Sequence, residues 1–216
     1  MAKLTWDDTG KRLYETGVDR GVLFPFSSAG GYANGVAWNG LSGVTESPSG
    51  AEATALYANN AKYATLMSTE ELGLTIEAYT YPKEFEACDG SIEIADGVTI
   101  GQQDRTHFGF AYRTIVGNDQ DGNAYGYKLH LVYDCLASPS EKSRSTVNDS
   151  PDVNPFSWEI TTNPVAVEGY KSTAMITIDS TVVSTEKLKL IEDKLYGTAS
   201  EEPTLPTPSE LITLIK

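Results

Sequence analysis

Residues 108–133 read FGFAYRTIVGNDQDGNAYGYKLHLVY. Phe108, Phe110 and Tyr112 alternate with Gly109, Ala111 and Arg113. Tyr125, Tyr127, Leu129, Leu131 and Tyr133 form a longer row, with Lys128, His130 and Asp134 opposite. Successive side chains of a strand point to opposite faces, so each row marks a strand with one face in a core. Gly117-Asn118-Asp119-Gln120-Asp121-Gly122-Asn123 separates the rows. Such residues accept the tight backbone of a hairpin loop, and the stretch is an expected antiparallel hairpin.

The same alternation recurs on either side. Leu72, Leu74, Ile76 and Ala78 oppose Thr75 and Glu77; Phe156, Trp158 and Ile160 oppose Ser157, Glu159 and Thr161; Ala174, Ile176 and Ile178 oppose Met175 and Thr177. Asn59-Asn60 stands between ATALYA and AKYATLM. Asn tolerates the positive φ that a two-residue hairpin turn requires. Helix is scarce. Leu188, Ile191 and Leu195 fall at helical spacing, Ser184 precedes them and Gly197 follows, which predicts a helix over 185–196. A shorter helical turn is expected at 83–88, after Pro82. The expected fold is mainly β: a sandwich or barrel of antiparallel hairpins with one flanking helix and extended loops or arms.

Two segments read as mobile before assembly. Residues 136–153 (LASPSEKSRSTVNDSPDV) are rich in Ser and Pro, and residues 198–208 (TASEEPTLPTP) are punctuated by Pro before the apolar Leu211-Ile212-Thr213-Leu214-Ile215. An apolar terminus on an extended arm docks somewhere, on its own domain or on a neighbour. The expected organisation is one β domain over 1–197, with an N-terminal arm of about 1–20, and a C-terminal extended arm over 198–216. Pro203, Leu205, Pro206, Leu211 and Ile212 are the candidate inter-subunit residues of that arm, and residues 45–67 are a further candidate contact. Deleting residues 203–216 is expected to leave a soluble fold and impair assembly.

A chain of 216 residues buries enough surface for a core without metals or disulfides. Its formal charge is −14, from 16 basic and 30 acidic residues. Adhesion to a nucleic-acid backbone needs clustered Lys and Arg, which this balance argues against. Cys88 and Cys135 are the only cysteines, a usage that fits a reducing compartment and two small buried hydrophobes. The opening MAKLTWDDTGKRLYETG has no signal-peptide core, and no apolar run approaches the roughly 18 residues of a membrane span. Cytosolic synthesis without a membrane partner is expected.

No reactive constellation emerges. His107 and His130 lack Cys or carboxylates at metal-ligand spacing. His130 and Cys135, five residues apart on one strand, are expected on opposite faces. The DQDGN loop echoes a calcium loop but lacks the twelfth-position Glu and flanking helices. No phosphate loop or nucleophile elbow is present. The expectation is a protein without catalytic residues, cofactor or metal.

Longer word order adds a resemblance. GVAWNGLSGVTESPSGAEATALYANN at 35–60, WDDTGKRLYETGVDRGVLFPF at 6–26, EACDG at 86–90, and residues 97–133 resemble the phage major tail protein family. So do SPSEKSRSTVNDSPDVNPFSWEITTNPV at 138–165 and the LIEDKLYGT…LPTPSELI ending. The resemblance covers nearly the whole chain. Members form the tail tube of phages and prophages of Gram-positive bacteria. It implies a virion protein made in the host cytoplasm, six copies to a ring, with rings stacked into a conduit for DNA. Expected partners are other copies of the chain and the tape-measure, tail initiator and terminator proteins. DNA would pass without specific binding. At −14 each, six copies would carry 84 net negative charges, and Glu77 and Glu159 are candidate lumen-facing acids. The competing class is an extracellular β-sandwich module that binds carbohydrate, using exposed aromatics and the DQDGN loop.

Overall fold

β1 (Tyr14–Pro25) is twelve residues long and bulges twice, at Gly17 and near Arg20, both at positive φ. The structure, a computed structural model, describes residues 3–27, 30–144, 146 and 153–215. The further strands are β2 (Val36–Trp38), β3 (Leu41–Gly50), β4 (Ala53–Ala58), β5 (Ala61–Met67), β6 (Glu70–Ala78), β7 (Ile92–Ala95) and β8 (Val98–Ile100). They continue with β9 (Phe108–Asn118), β10 (Gly122–Ala137), β11 (Phe156–Thr162) and β12 (Met175–Asp179). Two helices follow, α1 (Thr185–Tyr196) and α2 (Pro208–Ile215), and a single 3-10 turn spans Lys83–Phe85.

The main sheet runs β2-β1-β9-β10-β11-β6-β3, antiparallel throughout, and β12 joins β10 beside β11. Its two ends are one piece of chain. β2 pairs with β1, the backbone turns at Asn39-Gly40, and β3 pairs with β6. The sheet therefore rolls up, and a Cβ on Gly21 of β1 would meet the Leu41 side chain at 3.0 Å. Bulges in β1 and at Asp134 of β10 supply curvature that a flat ladder would resist.

Two cores result. Inside the roll lie Leu23, Trp38, Leu74, Ile76, Phe85, Phe108, Phe110, Tyr112 and Trp158. Four aromatic rings meet Trp158 edge-on or tilted, at centroid separations of 5.2–5.7 Å. The second core lies outside the roll. Val22, Phe24, Ala111, Leu129, Leu131 and Tyr133 face outward, and Leu188, Ile191, Leu195, Leu205 and Leu211 cover them. Strands β1, β9 and β10 are thus apolar on both faces where the helices lie.

α1 forms over the expected residues and buries Leu188, Ile191 and Leu195. Ser184 occupies the N-cap position, but its side chain makes no capping hydrogen bond. The expectation of a single helix is corrected by α2. Thr207 and Glu210 form a capping box: the Thr207 amide donates to Glu210 Oε2 at 2.8 Å and the Glu210 amide to Thr207 Oγ1 at 3.3 Å. Pro208 takes the first helical position, where its missing N–H is no loss. The expected C-terminal arm is also corrected. Residues 203–215 fold back, and Tyr133 donates its hydroxyl to the Pro206 carbonyl at 2.9 Å. The N-terminal arm is shorter than the expected 1–20, because β1 already begins at Tyr14.

Candidate functional site

Strand direction divides the roll into two ends. At the lower end β1 and β10 begin and β9 finishes, and at the upper end the reverse holds; β6 begins and β11 and β3 finish near the register row of Pro25, Phe108 and Cys135. The surfaces that stand out are one bare sheet face, one projecting arm, and a polar cluster at each end.

The bare face belongs to β3, β6 and β11. Alternation sends Leu72, Leu74, Ile76, Trp158 and Ile160 inward, or half-inward for Leu72, and leaves Thr75, Glu77, Ser157 and Glu159 on the other side. Ser157 pairs with Glu77 and Glu159 with Thr75, so the two candidate acids share one face on adjacent strands. Both are exposed. Glu71 shares this face, Glu46 and Glu70 belong to the alternate, inward row, and the three strands carry not one Lys or Arg. No helix among the described residues covers them.

The arm continues from the same sheet. Beyond Gly50 and Glu70, β4 and β5 form a hairpin that pairs only with itself. Asn59 and Asn60, at φ 50 and 61, make its two-residue turn, as the sequence predicts. Tyr57, Tyr63 and Met67 are 74%, 78% and 69% exposed. Lys62 lies between the tyrosines and is the only base from residue 21 to residue 82. A second small hairpin, β7–β8, turns at Asp96-Gly97 and exposes Ile94 and Val98.

At the lower end, His130 is buried and stacks on Tyr112, with centroids 4.6 Å apart and planes 7° from parallel. Glu15 and Glu46 approach its ring nitrogens at 3.7 and 3.9 Å. Thr114 donates to Glu15 at 2.6 Å, so its oxygen is left to accept from His130 Nε2 at 2.9 Å, and Thr177 donates to Nδ1 at 3.3 Å. That network assigns the neutral Nε2–H tautomer. Burial lowers the His130 pKa, outweighing the opposing pull of Glu46 and Glu15. Burial raises Glu15, but hydrogen bonds from Lys128 and Thr114 and the Lys128 charge bring it below the ordinary value. Tyr112 donates to Glu46 at 2.7 Å, and burial and that carboxylate push its pKa up. The cluster ties the root of the arm (Glu46) and the start of β1 (Glu15) to the sheet.

The DQDGN loop at this end is occupied from within. Asn118 Oδ1 accepts from the Gln120 and Asp121 amides, and Asp119 Oδ1 accepts from the Gly10 amide at 2.9 Å. Among the described residues no group of three His, Cys, Asp or Glu is placed to hold a metal. The basic residues nearby are paired: Lys11 with Asp8, Arg12 with Asp119, Lys128 with Glu15, and Arg113 with Asp19 in a two-point contact at 2.5 and 2.7 Å.

At the upper end, His107 Nδ1 meets Asp134 Oδ1 at 2.6 Å in a cleft of about 520 Å³ lined by Phe26, Ser27, Thr106, His107 and Asp134. Asp134 sits at φ 46 in the β10 bulge. That bulge shifts the alternation by one. Tyr133 faces the outer core and Cys135 the inner one, so Cys135 and His130 share a face, contrary to the expectation. Five residues of strand still hold them about 15 Å apart, and they form no nucleophilic pair. Cys88 and Cys135 are free and buried, and burial raises both thiols, Cys88 to about 11.

Of the candidate arm residues, Leu205, Pro206 and Leu211 are buried in the chain's own outer core, while Pro203 and Ile212 are half-buried. They are brought together, but as a folded-back segment. Residues 138–144 follow β10 without regular structure; most of the remainder of 136–153 lies outside the described residues. Sequence reasoning missed the β7–β8 hairpin, which Asp96-Gly97 signals, and α2, which Thr207-Pro208-Ser209-Glu210 signals. Among the described residues no helix is long and apolar enough to cross a membrane. Compared with protein-family models and with curated proteins, the chain finds no match.

Proposed function

We propose that this chain is a tail-tube subunit of a phage or prophage: a structural virion protein, six copies to a ring, stacked as a conduit for DNA. The observation that carries the reading is the bare face of β3, β6 and β11. It presents Glu71, Glu77 and Glu159 with no base on its strands, and it lies on the side of the roll that no described helix covers. A bore must let a polyanion slide, and Lys or Arg on its wall would add phosphate attraction. Glu77 and Glu159 sit on that face and are the wall residues of this reading. The resemblance of the sequence to phage major tail proteins points the same way.

The β4–β5 arm supports assembly as well. A two-stranded hairpin is marginal by itself in water, and this one exposes tyrosines, Leu66 and Met67. Such a surface is stabilised by a neighbour. On this reading the further partners are the tape-measure, initiator and terminator proteins, and the protein ends in the virion tail after synthesis in the host cytoplasm. Electron microscopy of concentrated protein, with and without an initiator, tests it. Six-fold rings or hollow tubes are expected; a strictly monomeric protein under both conditions overturns the reading.

A further inference from the structure

We propose that the tip of the β4–β5 arm, carrying Tyr57, Lys62 and Tyr63, seats in the Phe26/Thr106/His107/Asp134 cleft of a second copy. The inference rests on the stacking assembly above and names its contact. Three observations carry it.

The first is direction. The cleft lies beside the register row of Pro25, Phe108, Cys135 and Thr162, and the arm leaves Gly50 and Glu70 and carries its Asn59-Asn60 turn about ten residues of strand, roughly 33 Å, beyond them. Tip and cleft are different surfaces of one molecule, set apart by the length of the arm. A contact between them is heterologous and leaves a free tip and a free cleft at the two ends of every stack. It therefore repeats.

The second is chemistry. Copies carrying −14 each repel, so a contact needs local complementarity. Lys62 has no carboxylate partner among the described residues, and the tyrosines beside it are both more than 70% exposed. The cleft offers the Phe26 ring, 45% exposed, the His107 ring and a carboxylate. Asp134 spends Oδ1 on His107, and its Oδ2 has no partner among the described residues. A tyrosine ring against Phe26 and an ammonium on that oxygen match group for group.

The third is that the carboxylate is held in place. The Asp134 amide donates to the Tyr32 hydroxyl at 2.9 Å, and the Asn163 amide donates to the Asp134 carbonyl at 3.0 Å. These bonds fix a residue in the left-handed region, where bulges are used to re-aim a side chain.

The test is cysteine cross-linking between two single variants, Tyr63→Cys and Phe26→Cys, mixed at high concentration under mild oxidation. The native thiols are buried, so background is low. A covalent dimer is expected in the mixture and in neither variant alone. Adding Lys62→Glu to the Tyr63→Cys chain should abolish the dimer while leaving the monomer folded, since Lys62 is exposed. No dimer in the mixture, a dimer indifferent to Lys62→Glu, or a stronger one with Glu70→Cys than with Phe26→Cys overturns the proposal. Microscopy of the unsubstituted protein separates the two claims. Tubes without the cross-link leave the assembly reading standing and sink this contact; the cross-link without rings or tubes does the reverse.

Discussion

The two outward faces of the rolled sheet are built to opposite rules. On β1, β9 and β10 the outward residues are Val22, Phe24, Ala111, Leu129 and Leu131, and α1, α2 and Leu205 lie over them. On β3, β6 and β11 they are small hydroxyl residues and glutamates, and no described helix lies over them. The first face is a core and its residues are tied to stability. The second contributes little to the fold, which leaves its chemistry open to be set by whatever passes or touches it. Changes on the two faces must then have unequal consequences.

The largest effect is expected from removing residues 203–216. These residues seat Leu205 and Leu211 in the outer core, and Gly109 approaches Leu205 so closely that a Cβ there would lie 2.3 Å from it. Truncation uncovers that face. The expected outcome is loss of a cooperative thermal transition and aggregation, in place of the soluble fold that the Pro-rich composition alone suggests. A truncated chain that melts like the full one would show that the segment is an arm after all.

Next comes a matched pair. Ile191→Ala removes a fully buried side chain of α1 and should cost about 2–5 kcal/mol in urea unfolding. Glu159→Ala, on the bare face, should stay within about 0.5 kcal/mol of the parent. Equal costs for the two would mean that the bare face is a structural surface like the other.

A smaller effect is expected from pH at the lower end. The folded pKa of His130 is lowered by burial, so the unfolded chain takes up that proton first. Stability from this site is full above about pH 6.5 and is lost as pH falls from there towards the folded value. Glu15 is also lowered, and its contribution fades below about pH 4.5 in the same direction. Urea midpoints measured from pH 8 to pH 4 should fall in both windows, and His130→Asn should flatten the upper one. A midpoint unchanged between pH 7 and pH 5.5 in the parent would contradict the buried neutral imidazole.

The same contrast explains which elements are legible in the sequence. β6, β9 and β11 alternate cleanly over their inward rows, β10 does so over its outward one, and α1 has its apolar spacing, so the chain announces these elements by pattern alone. β1 hides because Gly17 and Arg20 sit at positive φ in bulges, which breaks a period of two. β3 hides because Pro48 and its many Ser and Gly residues read as loop. The outer core is the least legible part. It depends on which apolar residues of β1, β9 and β10 face outward, and the Asp134 bulge reverses that parity in mid-strand. On the candidate site, composition suffices to propose Glu77 and Glu159, but only the register between β6 and β11 puts them on one surface. The cleft at Phe26, His107 and Asp134 joins residues 108 positions apart in sequence and carries no local signal.

The smallest effect on stability, and the sharpest on function, belongs to the double variant Glu77→Lys, Glu159→Lys. Both side chains are exposed and neither makes an ion pair among the described residues, so unfolding should shift by no more than about 0.5 kcal/mol per site. The charge of the chain moves from −14 to −10, since each substitution changes it by two. If the bare face lines a bore, six copies turn twelve wall acids into twelve bases on one narrow ring. Phosphate contacts of that kind release counterions, so DNA should be retained at low salt and freed as salt rises. Assembled parent protein should show no such binding. If instead the face points away from the bore, the double variant will bind DNA on the outside of tubes, which microscopy with labelled DNA distinguishes. If assembled variant tubes bind no DNA at low salt, these acids do not govern passage, and the contrast between the two faces is one of stability alone.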